Sequence, residues 1–330
     1  MELFNQPIQI NKVTLKNRLV MPPMAKSSAI DGVVSDKLVD YYDEKSKGGA
    51  IGLIIMEHEY ISQEGMADAH QVSISRDSDV EGLRKITEVV HKNGSKIVAQ
   101  INHAGSSTTE QITGMQSVSA SAVVNNGLTG GNGVVPQQLT TEEIQTLVQK
   151  YADAARRAKE AGFDGVELHS AHGYLLNQFY SPLTNIRTDS YGGSVQNRIR
   201  LHLEVIKAVR ATVGNDFLVA LRLGASDYTE GGSTLADSMD AAKAFEQAGV
   251  DLLDISGGMC GFIRPGHTEP GYFGELTEAI KQVVSIPVIL TGGITDADSA
   301  EELLSEKKAD LIGVGRAILK DSSWAKNAML

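Results

Sequence analysis

Strand-like and helix-like patterns alternate along the whole of this 330-residue chain. Eight short apolar runs show no polar–apolar alternation, which is typical of parallel strands covered on both faces. These runs are 18–21, 51–56, 96–101, 165–168, 218–223, 252–255, 288–290 and 311–314. Amphipathic segments that predict helices lie between them, at 36–47, 79–93, 141–161, 195–213, 235–248, 275–284 and 296–306. Strands and helices in this order predict an α/β fold, the (β/α)8 TIM barrel.

A doubly wound parallel sheet is the alternative architecture. It would need a glycine-rich dinucleotide fingerprint directly after the first strand, where this chain has Pro22 and Pro23. No linker, repeat or charge block divides the sequence, so we expect a single domain over residues 1–330.

Two further segments have predicted positions in the barrel. Residues 5–16 resemble a small hairpin whose apolar residues run from Ile8 to Leu15, and we expect this hairpin to close the barrel bottom. Residues 106–138 are rich in Ser, Thr, Gly and Asn and show no helix or strand pattern. They therefore predict a loop over the mouth of the barrel.

The composition excludes several classes of protein. A net charge of −11 disfavours a nucleic-acid partner, because neutralising phosphates needs a basic surface. The single cysteine, Cys260, excludes an internal disulfide and a cysteine-ligated zinc or iron–sulfur centre. No signal-peptide core is present at the N-terminus, and the apolar run 50–56 is too short to span a bilayer. We expect a cytoplasmic protein that acts on a small molecule.

Functional residues of such a barrel lie at the carboxyl ends of its strands. Reading those ends in order gives Pro22, Pro23, Met24, Ala25, Glu57, His58, Gln100, Asn102, His103, His169, His172, Tyr174, Arg222, Ser256, Gly257, Gly292, Gly293, Gly315 and Arg316. The glycine-rich loop after strand six adds Gly258 as a cofactor-binding candidate. Cys260 in the same loop has no base beside it, so we interpret it as a passive thiol.

The last two strands end in glycine-rich turns that lead into helices. Gly292 and Gly293 follow strand seven, and Gly315 and Arg316 follow strand eight. Glycines let backbone N–H groups approach an anion, and the loops after strands seven and eight are the usual phosphate site of barrel enzymes. The alternative is that these glycines serve only as turn residues.

His169, His172 and Tyr174 are crowded into six residues after strand four. The two imidazoles suit three roles: metal ligands, structural histidines, or donors that grip a substrate oxygen. Tyr174 could supply a proton, which a metal site would not specifically require. The spacing leaves these roles open, and no metal site is predicted.

Arg222 and Gln100 each end a buried strand. A buried arginine needs an anionic or accepting partner, so Arg222 forms either a structural ion pair or a charge beneath a ligand that becomes anionic. Gln100 offers both a donor and an acceptor to a pyrimidine-like edge. A satisfied core amide is the alternative for Gln100.

The chain resembles the old yellow enzyme family over essentially its whole length. The resemblance rests on NRLVMPPM, GLIIME, AQINHAG, HSAHGYLLNQFYSPLTNIRTDSYGGSVQNR, LVALRLGASDY, DLLDISGG, VILTGGIT and ADLIGVGRAIL, in that order. It implies a (β/α)8 barrel with non-covalent FMN that NADPH or NADH reduces. The reduced flavin then passes a hydride from N5 to the β-carbon of an activated alkene, such as an enone.

The resemblance also assigns roles to residues at the strand ends. His169 and His172 would hold the substrate carbonyl oxygen, and Tyr174 would protonate the α-carbon. Gln100 would contact the flavin pyrimidine edge, and Arg222 would lie near N1 and O2. Gly293, Gly315 and Arg316 would hold the phosphate, and Pro23 and Met24 would lie along the flavin edge. Many relatives are dimers or tetramers, so a homo-oligomer is expected.

The chain departs from the family pattern at three positions. Ala25 replaces a residue that often donates to flavin O4, which should make the flavin harder to reduce. Ser27 stands where a tyrosine is frequent, and His58 occupies a position close to the flavin that is usually small. A degenerate or specialised flavin barrel, with another electron donor or substrate, is therefore the alternative function. A barrel lyase or aldolase would need a Schiff-base lysine or a metal set.

Some relatives extend further at their C-terminal end. The barrel parts of 2,4-dienoyl-CoA reductases and trimethylamine dehydrogenases precede nucleotide-binding domains and carry a cysteine-ligated cluster. With a single cysteine and no such domains in the sequence, we expect direct reduction by NAD(P)H. An arginine finger that some relatives lend to a neighbouring subunit is not visible before Leu330.

Overall fold

The eight predicted strands form a closed parallel barrel. The computed structural model describes residues 2–129 and 133–329. The barrel strands are β1 Leu19–Met21, β2 Leu53–Ile55, β3 Lys96–Asn102, β4 Gly165–Ser170, β5 Leu218–Gly224, β6 Leu252–Ser256, β7 Val288–Thr291 and β8 Leu311–Gly313. Each strand pairs in parallel with the next, and β8 pairs with β1, so the sheet has no free edge. The predicted TIM barrel is confirmed.

Helices cover the outside of the barrel between successive strands. They are α1 Asp36–Ser46, α2 Asp79–Lys92, α3 Thr141–Glu160, α4 Arg200–Val213, α5 Leu235–Ala248, α6 Gly274–Lys281, α7 Ala297–Ser305 and α8 Arg316–Lys320. Thr140 and Glu143 form a capping box at the start of α3, and Gly249 ends α5 in the left-handed conformation that glycine favours.

The predicted helix 195–213 is divided in the structure. A short helix, Val195–Arg198, meets α4 at Ile199, whose backbone (φ −90°, ψ 0°) lies in the bridge region. Beside this junction, the guanidinium of Arg198 donates to the carbonyl oxygens of Tyr180 (2.7 Å) and Gly193 (2.7 Å). These tertiary bonds accompany a change of direction that helical periodicity does not encode.

The N-terminal hairpin closes the barrel bottom, as predicted. Its strands, Ile8–Ile10 and Val13–Leu15, pair in an antiparallel manner. Side chains from the hairpin pack in one buried cluster with the first inward-facing residues of the barrel strands. The cluster consists of Ile10, Val13, Leu15, Val20, Leu53, Ile55, Val98, Leu218, Ala220, Leu252, Ile289 and Leu311. The lower half of the barrel is therefore packed with apolar side chains.

The segment 106–138 is more ordered than the sequence predicts. It contains a short helix, Glu110–Thr113, and Val118–Ser119 pairs in parallel with Gln137–Gln138. The expectation of a loop without elements was wrong because two-residue strands carry no readable period. Residues 130–132 of this segment lie outside the described residues.

Two further short helices follow a barrel strand and the last barrel helix. Leu175–Tyr180 directly follows β4, and Trp324–Ala328 follows α8. Across residues 2–129 and 133–329, no helix combines the length and apolar character needed to cross a membrane.

Candidate functional site

A cavity of about 280 Å³ opens at the carboxyl ends of the barrel strands. Its wall includes nearly all of the predicted site residues, although they come from seven different strand ends. Those present are Pro23, Met24, Ala25, His58, Gln100, His169, His172, Tyr174, Arg222, Gly292, Gly293, Gly315 and Arg316. The parallel arrangement brings them together, since every strand end meets at one face of the barrel.

Gly258 is the predicted site residue that does not line this cavity. It is buried against the loop after β5, where its N–H donates to the carbonyl oxygen of Ser226 (2.9 Å). A Cβ at this position would lie 2.1 Å from Oδ1 of Asp227. The glycine therefore permits close packing of two loops, and the structure places this predicted cofactor contact outside the cavity wall.

His169, His172 and Tyr174 lie together on one side of the cavity. The ring centroids of His169 and His172 are 5.1 Å apart, and those of His169 and Tyr174 are 5.0 Å apart. Burial lowers the pKa of both imidazoles well below the ordinary histidine value, and the nearby charge of Arg222 adds to this effect. Both rings are therefore neutral near pH 7, and each presents one N–H donor.

The two histidines are held differently. His172 has a left-handed backbone (φ 59°), and its Nε2 lies 2.7 Å from the hydroxyl of Ser256. Its carbonyl oxygen accepts a hydrogen bond from the hydroxyl of Thr129. By contrast, Nδ1 of His169 is buried without a hydrogen-bond partner in the described chain. The left-handed backbone of His172 is uncommon for a non-glycine residue, and such a conformation is typical of a functional position.

Tyr174 is the N-cap residue of the helix Leu175–Tyr180, and its side chain lines the cavity. Burial, with a smaller contribution from the charge of Asp68, raises the pKa of its phenol to about 12. The hydroxyl group is therefore protonated at neutral pH. It makes no hydrogen bond to the residues that the structure describes, which leaves its proton available to a ligand.

A buried polar cluster forms the floor of the cavity. The carboxamide nitrogen of Gln100 donates to Oε1 of Glu167 (2.7 Å), which leaves the Gln100 oxygen as an acceptor. Nε of Arg222 lies 3.1 Å from Oδ2 of Asp254, but the angles are unsuitable for a hydrogen bond. Burial raises the pKa of both carboxyl groups. Arg222 is thus a fixed buried cation with an unsatisfied donor in the described chain.

The opposite wall contains the glycine-rich turns after β7 and β8. Gly292 and Gly293 have φ values of 139° and 68°, a region that favours glycine. The N–H groups of Gly293 and Gly315 make no hydrogen bond within the described residues. Arg316 is exposed at the cavity rim and forms no ion pair with any described residue. Free backbone donors beside an unpaired guanidinium suit a phosphate group.

These features together fit a phosphorylated ring system. The unpaired donors after β7 and β8 suit its phosphate, and the positive guanidinium of Arg222, which lines the cavity, suits an accepting or anionic ring edge. The buried hydroxyl of Thr291 also lacks a partner and adds another polar group to the same wall. FMN has a phosphate at one end and a polar pyrimidine edge at the other, so the residues fit this cofactor.

Several wall residues were not predicted from the sequence. Thr129, Phe262, Tyr272 and Phe273 come from loops after β3 and β6. Phe262 is 55% exposed, and its ring lies 6.1 Å from that of His172, so it forms part of the rim beside the donor pair. No periodic pattern marks these loop positions, which explains why strand-end reasoning missed them.

Some strand-end residues lie behind the cavity wall. His103 is buried, and its Nδ1 accepts from the N–H of Gly105 (3.0 Å). Glu57 accepts a hydrogen bond from the N–H of Lys26 (3.0 Å), and burial raises its pKa to about 7. Burial also raises the pKa of the Cys260 thiol to about 11, consistent with a passive thiol. Among the described residues, no three His, Cys, Asp or Glu side chains converge as metal ligands.

A TIM barrel whose cavity combines free backbone donors, a buried cation and neutral imidazoles suits a flavin-binding oxidoreductase type of site. The model of the NADH:flavin oxidoreductase / NADH oxidase family matches residues 2–329, and the chain belongs to this family. FMN is the cofactor of the family. The predicted membership of an FMN-dependent oxidoreductase family is thereby confirmed.

Individual relatives agree with this assignment. The NADH oxidase of Thermoanaerobacter brockii is 43% identical over 97% of this chain, which spans 50% of that protein. The NADPH dehydrogenase of Bacillus subtilis is 39% identical over 98% of this chain and 93% of that protein. The solved structure of the old yellow enzyme homologue from Zymomonas mobilis is 30% identical, with a TM-score of 0.85, and covers 98% of this chain and 91% of that one. The chain thus spans about half the length of two of the most similar curated relatives in this comparison and nearly all of the Bacillus subtilis and Zymomonas mobilis proteins.

Proposed function

We propose that the chain reduces carbon–carbon double bonds conjugated to a carbonyl group, with FMN bound and NADPH or NADH as the reductant. The observation that supports this most is the placement of three neutral donors, His169, His172 and Tyr174, around one cavity. In the overall reaction, NAD(P)H is oxidised, the β-carbon gains a hydride and the α-carbon gains a proton.

The donor pair would bind and polarise the substrate. An N–H from each of His169 and His172 would hold the carbonyl oxygen, which becomes more negative as hydride reaches the β-carbon. Neutral imidazoles suit this role because they donate hydrogen bonds without being strong acids. Ser256 would orient the His172 ring through its 2.7 Å contact with Nε2.

Tyr174 would deliver the proton. Its phenol is protonated at neutral pH, and its hydroxyl has no competing partner in the described chain. A positioned acid of this kind accelerates proton transfer by roughly 10²- to 10⁴-fold. Its Oη would donate to the α-carbon on the side of the cavity where the His169 ring lies.

The remaining wall residues would hold the cofactor. Gly293, Gly315 and Arg316 would bind the FMN phosphate, and Gln100 and Arg222 would contact the pyrimidine edge, with Pro23 and Met24 along the flavin. The chemistry that FMN supplies when bound is hydride transfer between NAD(P)H and the alkene. The Arg222 cation would favour any negative charge that develops at this edge.

Anaerobic stopped-flow absorbance tests the proposal. The purified flavoprotein is mixed with NADPH and, separately, NADH, and the flavin band is followed before and after 2-cyclohexenone is added. We expect bleaching by one or both coenzymes and recovery with the enone. Bleaching without recovery would argue against alkene reduction, and the two coenzyme traces would show which reductant is preferred.

A flavin barrel with a different electron donor is the second candidate function. One observation favours it: the side chain of Ala25 places no hydrogen-bond donor on the cavity wall. A bound flavin that dithionite bleaches but neither coenzyme does would support this candidate over the first.

A further inference from the structure

His58 lies beside the three donor rings in the cavity wall. Its ring centroid lies 5.3 Å from that of Tyr174 and 6.1 Å from that of His169. Since the centroids of His169 and Tyr174 are themselves 5.0 Å apart, these three rings form a triangle. The ring of His172 lies 5.1 Å from that of His169, so all four rings belong to one cluster.

The tautomer of His58 is fixed by its neighbours. The carboxamide nitrogen of Gln71 donates to Nδ1 of His58 (2.7 Å) and also to the His58 carbonyl oxygen (3.0 Å). The carboxamide oxygen of Gln71 accepts from the N–H of Ala67 (2.7 Å), so the nitrogen must face the histidine. Asn102 brings a second carboxamide nitrogen within 3.3 Å of the same atom. An amide nitrogen cannot accept a hydrogen bond, so Nδ1 is the acceptor and the ring proton is on Nε2.

The Nε2–H group of His58 is available to a ligand. It makes no hydrogen bond within the described chain, and the ring lines the cavity. Burial lowers the pKa of His58 to about 4, and the charge of Arg222 acts in the same direction. The ring is therefore neutral at pH 7 and presents one directed donor. Gln71 is buried, so this orientation is protected from water.

We propose that His58 determines substrate specificity by donating from Nε2 to a second oxygen on the substrate, so that the preferred substrates are alkenes flanked by carbonyl groups on both alkene carbons. His169 and His172 would hold one carbonyl oxygen, and His58 would hold the other. Enediones and enedioic acid derivatives have this arrangement. The inference rests on the proposed function and names the substrate class of the same site.

A matched pair of ligands tests this inference by binding alone. In a Cys260→Ser background, which removes the only thiol, the oxidised flavoprotein is titrated without NAD(P)H. The ligands are 2-cyclopentenone and 4-cyclopentene-1,3-dione, which share a ring and differ by one carbonyl beyond the double bond. Flavin absorbance reports each Kd. We expect the dione to bind about tenfold more tightly, the effect of one added hydrogen bond.

Variants separate His58 from other sources of that preference. His58→Leu should bring the ratio of the two Kd values close to one, and His58→Gln, which retains an N–H donor, should restore most of it. Gln71→Leu leaves the ring in place but removes the tautomer constraint, so an intermediate ratio is expected. Taking the ratio of the two Kd values within each variant cancels any change in the cavity that alters the affinity for both ligands equally. A dione preference that persists in His58→Leu, or is absent in the parent protein, would overturn the inference.

Nitrogen-15 NMR provides a readout that needs no ligand. With labelled histidine in the flavoprotein, we expect the signals of one ring to show a protonated Nε2 and an unprotonated Nδ1 at pH 7. These signals should be absent from the spectrum of His58→Gln. An Nδ1–H tautomer would overturn the donor assignment. If enones are reduced but the Kd ratio does not depend on His58, only this inference fails. If no enone is reduced by the chemically reduced flavoprotein, the proposed function fails as well.

Discussion

The two ends of the barrel are built from the same strands but have opposite character. On β5, Leu218 packs in the apolar cluster below, and Arg222 reaches the cavity floor four residues later. On β6, Leu252 lies in that cluster, and Ser256 contacts His172 at the top. Alternate residues of a strand face inward. On both strands, therefore, the side chain in the apolar cluster and the polar side chain at the cavity are only two inward-facing positions apart. The lower end therefore stabilises the fold, and the upper end carries unsatisfied polar groups for ligands.

The largest expected effect is at the upper end. Tyr174→Phe removes the phenolic proton and little volume, so we expect reoxidation of the reduced flavin by cyclohexenone to slow by about 100-fold or more. Unfolding in urea should be nearly unchanged, because the hydroxyl has no partner in the described chain to lose. Stopped-flow traces and urea titrations measure the two quantities. Equal rates in Tyr174→Phe and the parent would exclude the tyrosine as the proton donor.

The reciprocal change is at the lower end. Leu218→Ala should lower the free energy of unfolding by about 2–5 kcal/mol, because it leaves a cavity in the apolar cluster. The flavin spectrum and the affinity for cyclohexenone should stay close to those of the parent protein. Urea denaturation followed by circular dichroism gives the first quantity. Loss of enone binding without loss of stability would contradict the division between the two ends.

Glu57 sharpens the comparison, because it is a buried carboxyl group just behind the cavity. Burial raises its pKa to about 7 in the folded protein, above the value of about 4.3 expected for an unfolded chain. The folded state therefore holds this proton more tightly, and the associated stability is present below pH 4 and lost as pH rises through 7. Glu57→Gln has no ionisable carboxyl group at this position, so this loss of stability with rising pH is absent from the variant.

Urea denaturation of the parent and Glu57→Gln between pH 5 and pH 8 measures this effect. We expect the stability difference to shift in favour of the variant by roughly 2 kcal/mol as pH rises. The glutamine oxygen can still accept from the N–H of Lys26, so the local bond is preserved. A difference that stays constant with pH would show that Glu57 ionises normally.

The smallest effect concerns Ala25, which lines the cavity without a donor. Ala25→Cys adds a weak donor that should favour the electron-rich flavin and raise its two-electron potential by about 20–30 mV. Ala25→Val, which adds bulk without a donor, is the matched control. Potentiometric titration with a reference dye measures both. A potential that falls in Ala25→Cys, or rises equally in Ala25→Val, would refute the hydrogen-bond argument.

The sequence predicted the barrel well because parallel strands buried on both faces have a distinctive apolar signature. It predicted β5 as 218–223, and the structure extends this strand by only one residue, to Gly224. The break at Ile199 was missed because the guanidinium contacts of Arg198 are tertiary. The two-residue strands within 106–138 were missed because they are too short to show a period.

The residues of the candidate site also divide into those that the sequence predicted and those that it did not. Residues at strand ends were found because the fold dictates where strand ends meet. Phe262 and Thr129 were missed, since loops reach the cavity by paths that no local pattern encodes. Gly258 lies against Asp227 and outside the cavity wall, which the sequence did not indicate, because a glycine needed for packing looks the same in sequence as one that contacts a ligand. The tautomer of His58 required coordinates, because Gln71 is thirteen residues away along the chain.

The closure of the barrel also affects how the chain is made. Leu19 of β1 pairs with Ile312 of β8, so partners in one ladder are separated by almost the entire sequence. During synthesis, β1 leaves the ribosome long before its β8 partner exists. Until then one side of this strand presents unpaired N–H and C=O groups, the kind of edge that recruits other strands. A growing chain would therefore present this aggregation-prone edge until translation has passed β8.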